Sequence, residues 1–228
     1  MTSALVTGAS RGIGRATAAL LAGRGVSLAL VGRPSKELDE TVELARAAGA
    51  PEAVAFACDL ADTASVESAA YAVLSHFPAL GILVNNAGVA ARVSIEETRN
   101  DVWNETLAVN LRAPFLLTRA VLPAMRKHAR GRIVHVGSIS STLGTARLSA
   151  YCASKWGLVG FMKSLAEELS GSGITTCAVL PGSTATRMLE GSGMPPRMSA
   201  DEVAQTIVHY CLDASPAHNG AVIEMFGV

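Results

Sequence analysis

The feature that most narrows the fold is an alternation running the length of the chain, in which short apolar runs bounded by turn residues are followed by segments of helical period. Strand-like runs fall at residues 5–6, 28–31, 53–57, 82–84, 133–136, 176–180 and 221–225, and helices are predicted at about 13–24, 36–48, 64–76, 101–128, 151–170 and 201–212. Such a pattern specifies an α/β chain whose parallel sheet carries helices on both faces. With 228 residues, half of them hydrophobic, the chain can bury a large core, and its length suits one domain spanning residues 1–228. No repeat, low-complexity tract or linker interrupts it.

Ligands of such sheets bind beyond the carboxyl ends of the strands, near the point where the strand order reverses. Residues with chemical character should therefore follow strands. Asp59-Leu60 follows the third run, Asn85-Asn86-Ala87-Gly88 the fourth, Ser138 the fifth and Pro181-Gly182 the sixth. The first run passes directly into Thr7-Gly8-Ala9-Ser10-Arg11-Gly12-Ile13-Gly14 and then into an alanine-rich helix. Glycines let the backbone approach a diphosphate closely, and the unpaired amides and helix dipole around Gly12 to Gly14 favour negative charge. This context makes the turn a dinucleotide-binding candidate.

Sites that prefer NAD place a carboxylate about 20 residues beyond the glycines, where it bonds the ribose 2′-hydroxyl. Here Gly32 and Arg33 follow the second run, and no Asp or Glu occurs before Glu37. A guanidinium matches a phosphate with a two-pronged fork, so Arg11 and Arg33 are the candidates for a 2′-phosphate. NADP(H) is therefore expected ahead of NAD(H). Arg15 and Arg24 are expected to do no more than solvate the surface.

Tyr151 and Lys155 stand one helical turn apart, so both side chains leave the same helix face and can share one substrate atom. A nearby ammonium favours the phenolate, which is expected to lower the Tyr151 pKa and make it an acid or base for a carbonyl/alcohol pair.

Lys plus Arg equals Asp plus Glu at 19 each, leaving no global field to draw nucleic acid or an anionic membrane. The four cysteines lie far apart without a Cys-x-x-Cys pair, and the five histidines show no ligand spacing, so no metal is expected. The first strand begins within about three residues of Met1 and no apolar stretch approaches about 18 residues, so a cytoplasmic protein without signal peptide or membrane span is expected. Residues 182–199, carrying Gly191, Gly193, Pro195 and Pro196, read either as a mobile loop over the site or as a disordered surface loop.

Taken together, these motifs resemble the short-chain dehydrogenase/reductase family over essentially the whole chain. The segment Gly8, Ser10, Arg11, Gly12, Ile13 and Gly14 is similar to the family's cofactor turn, and Asp59 with Leu60 to its adenine-contacting pair. The segment with Asn86, Ala87 and Gly88 is similar to the one that steadies the central sheet and borders the cofactor. Pro181, Gly182, Thr184 and Thr186 resemble the stretch that holds the nicotinamide and its phosphates, although Thr184 stands where Ile or Val is usual. Asn110, Ser138, Tyr151 and Lys155 fall at the four catalytic positions, with Ser138 thirteen positions before Tyr151. The chain also departs from the family in ending without the usual Asp-Gly-Gly turn.

The resemblance implies a Rossmann-like, doubly wound, seven-stranded domain, assembled as a homotetramer or homodimer through the helices at 101–128 and 151–170. It implies hydride transfer between nicotinamide and a ketone or secondary alcohol. Tyr151 would act as general acid/base. Lys155 would lower its pKa and bind the nicotinamide ribose, Ser138 would orient the substrate oxygen, and Asn110 would position a water of the proton relay. Ser140 and Ser141 compete for the serine role, and Ser138 and Asn110 also fit ordinary capping groups. Residues 89–93, 140–149 and 188–194 would line the pocket, with Leu143, Leu148 and Met188 apolar and Arg92 and Arg147 charged.

A basic cluster of Arg126, Lys127, His128, Arg130 and Arg132 offers docking to an acyl-carrier protein, as in the similar 3-oxoacyl-carrier-protein reductases; cations at a helix C-terminus are the plainer account. The alternatives are an NAD-dependent alcohol or polyol dehydrogenase and a non-catalytic nucleotide-sensing regulator on the same fold.

Overall fold

The computed structural model describes residues 2–128 and 130–227. Seven strands form one parallel sheet: β1 (Ser3–Thr7), β2 (Ser27–Gly32), β3 (Ala53–Ala57), β4 (Leu80–Asn85), β5 (Gly131–Val136), β6 (Ile174–Pro181) and β7 (Ala221–Met225). Their order is β3-β2-β1-β4-β5-β6-β7, so the chain winds outward from β1 in one direction and from β4 in the other. That reversal opens a crevice at the carboxyl ends of β1 and β4, where the glycine turn and the Asn85-Asn86 segment emerge side by side.

The helices are α1 (Gly12–Ala22), α2 (Lys36–Ala47), α3 (Thr63–His76), α4 (Asn100–Leu107), α5 (Ala113–Lys127), α6 (Ser149–Glu168) and α7 (Ala200–Leu212). Alternation along the strands feeds two apolar layers. Ala4 and Val6 of β1 pack with Leu21 of α1, Leu38 and Val42 of α2 and Val203 and Ile207 of α7. Leu5 between them faces the opposite way, with Val66 and Val73 of α3, Leu117 and Val121 of α5 and Leu165 of α6.

The stretch expected as one helix over 101–128 departs from regular α geometry. Residues Ala108–Arg112 form a π turn between α4 and α5, closed by the Ala113 N–H donating to the Ala108 carbonyl. The cause lies four residues past Asn110. Pro114 has no N–H to donate to the Asn110 carbonyl, and the added residue per turn relieves that gap. Asn110 is thereby turned fully inward.

The excursion at 182–199 is tied at its base. Thr184 bridges Met198, and the Ala185 and Arg197 amides donate to the Met198 and Ser183 carbonyls at 2.8 and 2.9 Å. No helix among the described residues is long and apolar enough to cross a membrane.

Candidate active site

The floor of the crevice is sewn together across β1 and β4 by Thr7, a residue whose side chain the sequence did not single out. Its buried hydroxyl accepts the Asn86 and Ala87 amides, both at 3.0 Å, and donates to the Val84 carbonyl at 3.4 Å. Asn86 reciprocates, donating Nδ2 to the Thr7 carbonyl at 2.8 Å and to the Gly8 carbonyl at 3.3 Å. The glycine turn is compressed against this seam. Gly8 has φ +64, and a Cβ there would lie 2.9 Å from the Ala87 Cα; at Gly14 it would lie 2.3 Å from the Gly8 carbonyl oxygen. Glycine at both positions is thus a steric requirement. Thr186, from the loop after β6, touches the turn at Gly12, 3.2 Å from where a Cβ would stand. Ile13 packs into the core behind it. Gly182, after Pro181, is held by its amide to the Met225 carbonyl of β7 at 2.8 Å, and Thr184 donates to the Gly182 carbonyl at 3.2 Å.

Arg11 and Arg33 are exposed and enter none of the ion pairs among the described residues. The Arg11 charge reaches Glu37 at the start of α2, so Arg11 and the segment carrying Arg33 share one corner of the crevice. Arg15 and Arg24 have more definite roles than surface solvation. Arg15 clamps α1 to α2 through Ser10, Thr41, Glu37 and Glu40, and Arg24 pairs with Asp213 at 2.8 Å. Asp59 caps its own turn by accepting the Ala61 amide at 3.0 Å, and Leu60 packs on the α3/α5 layer.

Two of the four remaining candidates, Asn110 and Lys155, meet at Gly88. A Cβ on that residue would lie 3.4 Å from Asn110 Oδ1, 3.5 Å from Lys155 Nζ and 3.9 Å from Met188 Cε. Asn110 grips Val89 at both backbone groups, accepting its N–H at 2.8 Å and donating to its carbonyl at 2.9 Å, and donates further to Ser154 Oγ at 3.0 Å. Ser154 in turn donates to the Tyr151 carbonyl at 2.7 Å, which links Asn110 to the helix turn carrying Tyr151. Lys155 Nζ donates to the Val136 carbonyl at 2.8 Å and lies 5.7 Å from the Tyr151 ring centre.

Ser138 takes the capping role open to it, its Oγ accepting the Ser140 amide at 3.1 Å at the short 3-10 turn Ile139–Ser141, and its hydroxyl favours the Tyr151 phenolate. The rival serines are engaged elsewhere. Ser141 Oγ accepts the Ser138 amide and Ser140 Oγ meets Thr145 Oγ1.

The expected electrostatics at Tyr151 are reversed. Burial raises the phenol pKa, the hydrogen bond from Ser138 and the charge of Arg92 oppose that rise, and Lys155 is not among the groups that lower it. The same burial acts on Lys155, pushing its ammonium from the ordinary 10.5 down to about 8. Beneath it, His135 on β5 is fully buried and held neutral, with a pKa of about 3 set by burial and then by the Lys155 charge.

The sign for stability follows from linkage. Below about pH 8 the cost of burying the Lys155 ammonium is present in full, and between about 8 and 10.5 the unfolded chain binds more protons, so this group makes stability rise with pH. Lys155→Met should remove that rise. Urea denaturation of both proteins at about pH 7, below this window, and at about pH 10, near its upper end, should show wild type gaining stability relative to the variant; parallel curves would contradict it.

With this geometry in view, the chain matches the family model described as short chain dehydrogenase over residues 2–194. It is 37% identical over 238 residues to D-threitol dehydrogenase of Mycolicibacterium smegmatis, covering 98% of this chain and 91% of that one. It is 40% identical over 185 residues to the 3-oxoacyl-[acyl-carrier-protein] reductase of Escherichia coli, covering 81% and 74%. A metagenomic short-chain oxidoreductase solved in complex with NADP superposes with a TM-score of 0.86 at 34% identity, covering 99% and 97%. The chain belongs to the short-chain dehydrogenase/reductase family of alcohol/ketone oxidoreductases.

Proposed function

We propose that the protein is an NADP-dependent reductase or dehydrogenase acting on a ketone or secondary alcohol. The observation that carries this reading is the convergence of Tyr151, Ser138, Lys155 and Asn110 beside a glycine cradle in which side chains at positions 8 and 14 would collide with backbone. When bound, NADPH supplies the hydride. Gly8, Ser10, Gly12, Ile13, Gly14, Asn86, Ala87, Gly88 and the stretch from Pro181 to Thr186 would hold it, with Asp59 and Leu60 toward the adenine. Arg11 and Arg33 would take the 2′-phosphate, since both guanidinium forks are free of carboxylate partners among the described residues.

In the reductive direction Tyr151 donates its phenol proton to the carbonyl oxygen, which Ser138 holds. Because burial disfavours the phenolate, Tyr151 needs its proton replaced promptly. An ammonium has three donors, and Lys155 spends one on Val136, leaving two for the ribose and for a relay water. Asn110 Oδ1 accepts once from Val89 and so retains a lone pair with which it would hold that water.

Two substrate classes have specific support. The Escherichia coli relative and the exposed Arg126, Lys127, His128 and Arg130 support a 3-oxoacyl thioester delivered by an acyl-carrier protein. Arg132 drops out of that patch, because its half-buried guanidinium turns to the Gly131 and Ala214 carbonyls. The Mycolicibacterium relative supports a polyol. Trp103, Phe115 and Trp156, apolar and partly exposed on α4, α5 and α6, support assembly through those helices.

The cofactor assignment is tested by titrating wild type and Arg33→Ala with NADPH and NADH. Loss of one phosphate-gripping guanidinium should weaken NADPH about 10- to 100-fold and leave NADH nearly unchanged. An equal effect on both cofactors would contradict the phosphate site, and tighter NADH binding by wild type would favour the NAD-dependent alternative.

A further inference from the structure

The reading above leaves two cations unused on the segments that border Asn110 and lead into Tyr151. Arg92 lies in the loop that follows β4, and this loop is clamped at both ends. Asn110 holds both backbone groups of Val89, and the Val93 amide donates to the Arg147 carbonyl at 3.0 Å. The clamp ties the Arg92 loop to the segment that leads into Tyr151. Arg147 itself adopts φ 63, the left-handed region that a non-glycine residue enters at a cost. Buried Leu148 follows it and caps α6, so the strained backbone sets the approach to the catalytic turn.

Both guanidinium groups are exposed, and neither enters an ion pair or a side-chain hydrogen bond among the described residues. Of the carboxylates in the neighbouring segments, Glu97 is engaged by Ser94 at 2.9 Å and Glu224 by Thr142 at 2.5 Å, while Glu96 is exposed and makes no ion pair with either arginine. Arg15, Arg24, Arg99 and Arg119 have carboxylate partners, whereas Arg92 and Arg147, like Arg11 and Arg33 at the glycine turn, have none among the described residues. The Val93–Arg147 bond sets the Arg92 loop beside the segment that enters the Tyr151 turn, and the Arg92 charge favours the Tyr151 phenolate. Met188 adds an apolar side chain at Gly88, where Asn110 and Lys155 also meet.

We propose that Arg92, with Arg147 beside it, makes this site selective for substrates carrying a carboxylate a few bonds from the reacting carbon, that is, for oxo and hydroxy acids. This rests on the ketone/alcohol reading above and narrows it. The phosphate of a thioester's pantetheine arm is the other anion that such a pair could take; the nearness of Arg92 to the reacting phenol favours the substrate's own carboxylate, because that phosphate lies a long arm away from the oxo group.

The test compares matched probes: acetoacetate against methyl acetoacetate, and a six-carbon aldonate against the corresponding alditol. Affinities are measured calorimetrically with NADPH-loaded Tyr151→Phe and with the same protein carrying Arg92→Gln or Arg92→Lys, so that no turnover is needed. With Arg92 present, the acid of at least one pair should bind about 10- to 100-fold more tightly than its neutral partner. Arg92→Gln should bring that ratio near unity and Arg92→Lys should restore part of it. Equal affinities with Arg92 present, or a ratio untouched by Arg92→Gln, would overturn the proposal. So would an effect confined to a 3-oxoacyl-coenzyme A relative to its phosphate-free N-acetylcysteamine thioester, which would assign Arg92 to the arm. Absence of NADPH consumption by wild type with every ketone would instead count against the proposed reaction, leaving the affinity ratio to report on Arg92 separately.

Discussion

Tyr151→Phe should reduce turnover by about 10²-fold or more while retaining NADPH binding, because it deletes one hydroxyl from a position that nothing else can fill. The ring is buried, with Lys155 Nζ 5.7 Å from its centre, so phenylalanine keeps the packing and loses only the transferable proton. Steady-state kinetics combined with a cofactor titration separate the two effects. Turnover close to wild type would remove Tyr151 from the chemistry and require another group to supply the proton. Ser138→Ala is a weaker test, since that oxygen also caps the 3-10 turn.

The second large effect is expected at Gly14, far from any proton. An added methyl would stand 2.3 Å from the Gly8 carbonyl oxygen and 2.5 Å from Asn86 Nδ2, and the first of these is backbone that cannot rotate away. Relief requires α1 to move off the turn, which would break the Asn86 bonds to Thr7 and Gly8 and splay the seam between β1 and β4. Gly14→Ala should therefore cost about 1–3 kcal/mol or more in stability, the range of overpacked sites, and abolish stabilisation by NADPH. Thermal unfolding with and without NADPH measures both. A normal shift of the midpoint on adding NADPH would show that the cradle tolerates the methyl and that its glycines are not the cofactor's seat.

The sheet was legible because its central strands are buried on both faces and so appear as uninterrupted apolar runs, such as residues 28–31 and 82–84. The helix over 101–128 was legible as a helix but not as an interrupted one. Its apolar period survives the π turn, and the signal for the interruption was a single missing donor at Pro114. The candidate site was legible where chemistry demands a particular residue type after a particular strand, as at Tyr151, Lys155 and the glycines. It was not legible where a common residue gains its role from a neighbour distant in sequence. Thr7 serves residues 79 and 80 positions away, and Ser154 matters because Asn110, 44 positions earlier, is turned into it. The balance at Tyr151 could not be read at all from helical spacing. Spacing gives the proximity of Lys155, whereas the direction of the shift depends on how much water the fold removes.

Central to the account is that this chain moves a hydride between NADPH and a carbon that Tyr151 helps to protonate at oxygen. The direct measurement is a reaction with NADPH deuterated on the transferred face of its nicotinamide C4, across the oxo acids, esters and thioesters named above, with the alcohol product weighed by mass spectrometry. The account predicts an alcohol heavier by one deuterium on its carbinol carbon from wild type, and almost none from Tyr151→Phe. Cofactor consumption that yields unlabelled alcohol from either stereospecifically deuterated NADPH, or equal product from the two proteins, would contradict it.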